Sequence, residues 1–475
     1  MFLSLPDLFG DGKPIVIIHV LLAAAVTIHV LLRKQSVRAA IGWIGLAWLS
    51  PIFGAVFYFI LGINRVERRA ARFRRAGPGY GSAPAKGPEA QLPENIAVIA
   101  RVVEQLTGRT MVGGNSVTLL RSGDGAYPAM LDAIRAARRS IVLASYIFRA
   151  DDAGRAFIEA LAEACSRGVQ VRVLIDGIGG GYIVSPAAHA LRKKDVPVAR
   201  FLHHWLPWRM PYLNMRSHKK ILVVDGAVGF TGGMNIGSDN VLAGHPPHPV
   251  RDIHFRVDGP VVRQLMETFA EDWNFTTGEQ LDDEIWWPEL SQAGPVWARG
   301  IGSGPDEAVG RLESILLAAV SGAKDRLRIV TPYFLPDEHL MAAIQLAALR
   351  GVAVDIVVPQ RSDHMLIDWA MRAHLALLAP SINIHLAPGP FSHAKLMTVD
   401  GEWSLIGSAN WDVRSTRLNF EFSLECYDAA LNTEIDRVID ARVVAAPRVS
   451  SEEIAVRPLP IRLRDAAARL LLPYL

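Results

Sequence analysis

Two stretches of the chain carry the same reactive residue types at the same offsets. His218, Lys220, Asp225, Gly232, Gly233 and Asn235 form the first set, and His393, Lys395, Asp400, Gly407, Ser408 and Asn410 form the second. Each stretch reads H-x-K-x4-D-x6-G-[GS]-x-N. Two imidazoles, two ammonium groups and two carboxamides around one cavity suit a tetrahedral anion with several oxygens. The lysines would neutralise the non-bridging oxygens of a phosphate, while Asn235, Asn410 and the Ser408 hydroxyl would bind it through hydrogen bonds. A neutral imidazole can attack phosphorus, and a protonated one can give its proton to the departing alcohol. The expected reaction is phosphodiester exchange in two steps through a phosphohistidine, so that a second alcohol enters after the first has left. Fixed cations can supply the charge stabilisation that Mg²⁺ provides elsewhere, so neither a cofactor nor a metal is expected.

Asp225 and Asp400 belong to the repeated set and are carried with His218, Lys220, His393 and Lys395 as catalytic candidates. Each also stands before a glycine at the end of an apolar run, where it suits fixing a turn. Asp252 and Glu421, acidic residues on the next expected strand of each half, are the candidates for orienting the imidazoles.

These residues need a frame. The runs 221–224 and 396–399 are apolar and β-prone, and with the strand expected after each Asp-Gly they predict a hairpin that delivers His, Lys and Asn to one end. From about residue 115 the pattern is an α/β alternation. Strands are expected near 117–120, 141–148 and 169–175, with helices over 129–138 and 154–166. The order recurs at 327–334, 338–349 and 352–358, which marks an internal duplication. Two such halves packed face to face would bring the hairpin ends into one composite site. Cys165 and Cys426 lie far from any partner at metal-ligand spacing and read as buried packing residues.

The 475 residues are half hydrophobic, with a net charge of only +3. Nothing polybasic enough for nucleic acid is implied by that total. The apolar excess lies at the start: residues 14–32 and 39–63 are free of charge and each is long enough to cross a bilayer. Ser50-Pro51 and Gly54 interrupt the second run, which could therefore be bent or re-entrant. Arg65, Arg68, Arg69, Arg72, Arg74 and Arg75 follow it and place the body on the cytoplasmic side. The expected organisation is a membrane anchor over 1–63, a basic and Gly/Pro-rich linker over 64–107, a first half over 108–288, and a second half over 289–475. The last of these ends in a basic amphipathic tail suited to an anionic membrane. The segment 203–212, mixing aromatic and basic residues, fits either the headgroup layer or packing between halves.

The duplicated motif resembles that of the phospholipase D superfamily. The accompanying segments are similar to those of bacterial cardiolipin synthases: the N-terminal hydrophobic pair, Ser145-Tyr146-Ile147-Phe148, Gly232-Gly233-Met234-Asn235, Thr331-Pro332-Tyr333-Phe334, and Trp411-Asp412-Val413-Arg414-Ser415 running to Glu421. Ala144-Ser145 departs from the pattern, since these enzymes often carry a glutamate there. The resemblance implies two phospholipase D-like α/β/α sandwich halves in one bilobal body behind a pair of membrane helices. The implied activity joins two phosphatidylglycerol molecules into cardiolipin and glycerol at the bacterial inner membrane, with His218 as nucleophile. The implied partners are phosphatidylglycerol and anionic lipid, with no nucleic acid. A hydrolase of phospholipids using the same site is the main alternative; a nuclease or a non-catalytic scaffold fits less well with the anchor and with the intact residues of both copies.

Overall fold

The computed structural model describes residues 13–34, 37–50, 52–62, 91–203, 215–305 and 310–470. Two compact units are present, residues 1–69 and residues 70–475. The basic run after residue 63, most of the Gly/Pro-rich linker, and the aromatic segment from 204 onward lie outside the described residues.

In the N-terminal unit, Lys13–Arg33 is one continuous helix of 21 residues, about 31 Å long at 1.5 Å per residue. Among the described residues it is the one helix long and apolar enough to cross a membrane. The second hydrophobic run is not a single straight helix. It is α-helical over Val37–Leu49 and stops there, as the residue before a proline is pushed out of the α region; it resumes as Phe53–Phe57 and a π turn over Tyr58–Gly62. Gly54 permits the close approach of the two pieces, because a Cβ there would fall 2.1 Å from the Leu46 carbonyl oxygen. Ala23, Val26 and Val30 of the long helix pack on Ala47, Ala55 and Tyr58 of the bent one.

The second unit is built on one 15-stranded sheet. The first half contributes, from its outer edge inward, Val198–Phe201, Gln170–Asp176, Ser140–Ser145, Ile221–Val224, Val228–Gly232, Ile253–Asp258 and Val112–Arg121. Asn383–Ala387, Ala353–Pro359, Arg326–Val330, Leu396–Val399, Trp403–Gly407, Glu421–Tyr427 and Val296–Ser303 repeat that order in the second half, whose outer edge carries one further short strand, Arg448–Val449. The halves meet edge to edge, where Val112–Arg121 pairs antiparallel with Val296–Ser303, and not as two separate sandwiches laid face to face. Central strands such as Ile221–Val224 are buried along their whole length, which is why they read as unbroken apolar runs and not as alternating ones.

Each half has its own apolar core, one around Phe157, Leu161 and Val173, the other around Leu316, Ile344 and Ile356. Residues 94–107, placed in the linker by composition, are a helix whose Ile96, Ile99 and Val103 are buried in the second core. The C-terminal helix Leu459–Arg469 buries Asp465 and Ala468, and stacks the Arg464 guanidinium 4.4 Å from the Trp369 ring while leaving Leu459, Leu463 and Leu470 exposed. Cys426 is buried as expected, whereas Cys165 is only half-buried.

The hairpins are pinned by their aspartates. Asp225 and Gly226 have φ of 51° and 64°, and Asp400 and Gly401 have φ of 52° and 70°, the paired left-handed conformation for which Asp-Gly is the favoured sequence. The Asp225 carboxylate accepts from the backbone N–H groups of Arg138, Arg139 and Ser140 at 2.7–3.1 Å. Asp400 accepts from Lys324, Asp325 and Arg326 at 2.8–2.9 Å. Both lie about 16 Å from the motif lysines, at the opposite ends of the four-residue strands. Asp225 and Asp400 are therefore turn and strand-pinning residues, and their inclusion among the catalytic candidates is corrected. Asp225→Ala or Asp400→Ala should lower unfolding stability in detergent by about 1–3 kcal/mol and keep turnover per folded molecule. Lost turnover with an unchanged melting temperature would return them to the chemistry.

Candidate active site

Each hairpin delivers its histidine to the junction of the halves, where two short backbone contacts cross between them. The N–H of His218 donates to the carbonyl of Phe420 at 2.8 Å, and the N–H of His393 donates to that of Arg251 at 2.8 Å. Parallel pairing of Ser217 with Phe420, and of Phe391–Ser392 with Val250–Arg251, extends these contacts. Phe420 precedes Glu421 and Arg251 precedes Asp252, so the crossing sets each imidazole against a carboxylate of the other half. His218 Nδ1 lies 3.0 Å from Glu421 Oε2 and 2.9 Å from the Ser408 carbonyl oxygen. His393 Nδ1 lies 2.8 Å from Asp252 Oδ2. Both neighbours of His218 Nδ1 are acceptors, which requires the proton on Nδ1 and leaves Nε2 with its lone pair. The two rings are 6.3 Å apart, centroid to centroid, nearly perpendicular, and both line one cavity of about 400 Å³.

Along the extended segment before Ile221, alternate side chains face opposite ways. Lys219 points away from the site to a buried ion pair with Asp272 at 2.8 Å. Lys220 stays on the histidine side, with Nζ donating to the His218 carbonyl at 2.6 Å, as Lys395 does to that of His393 at 2.5 Å. Both motif lysines are nearly fully buried, while Asn235 and Asn410 are in the wall of the cavity. The Ile147 N–H donates to Asn235 Oδ1 at 3.2 Å, which leaves the Asn235 amide hydrogens for the cavity.

Ser408 is a correction to the sequence expectation of a phosphate ligand. It is fully buried; its hydroxyl donates to Glu421 Oε2 at 2.5 Å and accepts from the Phe422 N–H at 3.0 Å. Its role is to hold the acid that holds His218. Gly233 occupies the matching place in the first half, where a Cβ would fall 2.6 Å from Asp252 Oδ1. The shorter acid thus uses the space left by glycine, and the longer acid is tethered by serine.

Burial dominates the electrostatics. It lowers the pKa of His218 to about 4, with Glu421 opposing and Lys220 adding to the shift. His393 is lowered too, by burial and by Lys395 against the pull of Asp252. Burial also lowers Lys220 to about 7 and Lys395 to about 8, despite the nearby carboxylates. Burial alone would raise Asp252 and Glu421, but their hydrogen bonds to imidazole and the lysine charges outweigh it and hold both below the usual carboxylate range. Between about pH 4 and 7, then, the site holds a neutral His218, two carboxylates and two ammonium groups.

A family model described as cardiolipin synthase, phospholipase D-like domain, matches residues 130–273 and 316–443. The chain belongs to the cardiolipin synthase family. Among its relatives, cardiolipin synthase A of Pseudomonas fluorescens strain Pf-5 is 33% identical over 99% of this chain and 100% of its own length. Cardiolipin synthase of Geobacillus kaustophilus is 30% identical over 100% of this chain and 97% of its own. The crystal structure of phosphatidylserine synthase from Haemophilus influenzae superposes with a TM-score of 0.62 at 15% identity, covering 79% of this chain and 100% of that one. At that identity the likeness shows the fold.

Within this family member, several residues of the site carried no motif signal. Asp176, the last residue of the Gln170–Asp176 strand, is 2% exposed; it accepts from the N–H groups of Ile178, Gly179 and Ser217 at 2.7–2.9 Å and so fixes the residue before His218. Arg216 and Arg414 line the cavity. Arg216 was findable, since it lies two residues before His218 on extended chain and shares its face. Because the depressed lysines lose their charge as pH rises, sulfate should bind the site at least about tenfold more weakly at pH 9 than at pH 6. Calorimetric titration of the detergent-purified protein checks this, and a flat profile would show that the lysines keep their charge in the site.

Proposed function

We propose that this chain is a membrane-bound phosphatidyltransferase that joins two phosphatidylglycerol molecules into cardiolipin and glycerol. The observation that carries the reading is the pair of imidazoles 6.3 Å apart in one cavity, each held by the other half's carboxylate. Relatives named cardiolipin synthase, aligned over essentially the whole chain, support the lipid assignment.

In the first step His218 Nε2 attacks the donor phosphorus. The bond from phosphorus to the glycerol oxygen breaks, and protonated His393 gives that oxygen its proton. In the second step a headgroup hydroxyl of the other phosphatidylglycerol loses its proton to His393 and attacks the phosphohistidine, breaking the P–N bond and restoring His218. Lys220, Lys395, Asn235 and Asn410 stabilise the charge on the non-bridging oxygens in both steps. Asp252 and Glu421 orient the rings and favour the imidazolium as it forms, the role of the buried carboxylate in a catalytic triad. Burial keeps His218 neutral, as a nucleophile must be, and His393, lowered as well, takes up its proton as the anionic substrate binds.

The body lies on the cytoplasmic side of the bacterial inner membrane. The apolar helix Lys13–Arg33 and the arginines following residue 63 support this placement. Incubating the purified protein with phosphatidylglycerol alone should yield cardiolipin and glycerol; phosphatidic acid as the main product would make it a hydrolase.

Two further outcomes test the reading. Either His218→Asn or His393→Asn should cut turnover by about 10² to 10⁴. With a donor whose leaving group needs no proton, His393→Asn should still accumulate phosphatidyl-enzyme and His218→Asn should not; an adduct mapped to His393 in the unmodified protein would reverse the roles. Removing residues 1–63 should lower activity on bilayers more than on dispersed short-chain lipid, and equal losses would make that segment a folding element instead.

A further inference from the structure

The two halves repeat one another closely enough that departures from the repeat around the cavity can be read position by position. Two residues before each histidine stand Arg216 and Phe391; four residues after each asparagine stand Asp239 and Arg414. All four line the cavity. The crossing of the halves places Arg216 beside Arg414: the Phe420 N–H donates to the Arg216 carbonyl at 2.8 Å, while the N–H groups of Leu418 and Asn419 donate to that of Arg414 at 2.8 and 2.9 Å. Their pseudo-mates, Phe391 and Asp239, belong to the opposite flank, where Asp239 is ion-paired with Arg149 at 2.7 Å. One flank thus holds two neighbouring guanidiniums, and the other an aromatic ring and a balanced pair.

The arginine flank is a charged wall near the reacting centre. Burial and the charge of Arg216 both lower the pKa of Arg414, as expected for like charges held close together. Asp412 and Asp176 oppose that shift and also accept from backbone donors. Asp176 accepts from three N–H groups, and Asp412 accepts from the Ser415 N–H at 2.6 Å as a helix cap. Paired guanidiniums match a phosphodiester through bidentate, charge-assisted hydrogen bonds. Arg216 shares a face of extended chain with His218 and lies about 6.6 Å from it along the backbone, comparable to a three-carbon bridge between two phosphates.

We propose that Arg216 and Arg414 form a second anion subsite that takes the phosphodiester of the acceptor, while the histidines and lysines take that of the donor. The inference rests on the transferase reading above. In that reaction the acceptor hydroxyl is separated from its own phosphate by one glycerol, so anchoring that phosphate on the arginine flank presents the hydroxyl to the phosphohistidine and to His393. An acceptor without a phosphate, or water, would lack this anchor, so the subsite would favour transfer to lipid over hydrolysis.

The test compares two acceptors for one donor. With phosphatidylglycerol vesicles and labelled glycerol, the full-length protein can make cardiolipin or exchange the label into phosphatidylglycerol; the second outcome needs no acceptor phosphate. Arg216→Gln and Arg414→Gln should each lower the ratio of cardiolipin formation to glycerol exchange by about tenfold or more, and Arg216→Lys should restore part of it. A soluble methyl phosphodiester of glycerol should have a lower KM than glycerol as acceptor for the unmodified protein and lose that advantage in the double variant. This arm separates a lipid surface effect from recognition of the phosphodiester itself. Parallel loss of both products with the soluble advantage retained would overturn the subsite. Failure of the unmodified protein to make cardiolipin from phosphatidylglycerol would instead overturn the transferase reading.

Discussion

The active centre depends on two backbone hydrogen bonds that cross between the halves, His218 N–H to Phe420 and His393 N–H to Arg251. Each fixes the position of a histidine relative to the residue just before the other half's acid. Neither half alone contains an oriented imidazole, because the carboxylate that bonds its Nδ1 belongs to the other copy. The edge-to-edge union of Val112–Arg121 with Val296–Ser303 holds the copies in register over the continuous sheet. The duplication is thereby converted from two incomplete sites into one complete one.

Charge burial follows from that arrangement. Two carboxylates with no exposed surface and two nearly buried lysines would each be costly alone. Together they are arranged as alternating charges around two imidazoles. With His218 neutral, the two ammonium groups only just balance the two carboxylates, and the lysine pKa values of about 7 and 8 show how closely burial opposes their charge. An arriving phosphate adds negative charge, which favours the protonated lysines and imidazoles. Anion binding and the protonation of the site are therefore one equilibrium.

The two half-sites nonetheless differ. Ser408 tethers the longer Glu421, whereas Gly233 yields its space to the shorter Asp252. Arg216 takes the place that Phe391 has in the other half, and Arg414 the place of Asp239. Two substrates that differ in what they must do, one donating a phosphatidyl group and one accepting it, call for such inequivalent flanks, while the chemistry between them requires near-equivalent histidines.

Much of this was legible in the sequence. Repeated spacing of His, Lys and Asn marks one chemistry built twice, since a β-strand delivers alternate residues to one face whatever packs around it. Buried strands appear as apolar runs, the hairpin turns as Asp-Gly, and the N-terminal helix as an uncharged stretch, because each of these depends on local propensity or hydropathy. What only the tertiary structure decided is which groups meet across the halves. The exchange of Asp252 and Glu421 between His393 and His218 and the gathering of Arg216 with Arg414 depend on pairings some 140–200 residues apart, and the retirement of Ser408 to the support of Glu421 and the anchoring of Asp225 and Asp400 on neighbouring strands depend on pairings 13 to 87 residues apart. Composition and periodicity constrain each segment's own conformation; the partner of a side chain is chosen by the register of strands far away in the chain, which no local pattern records.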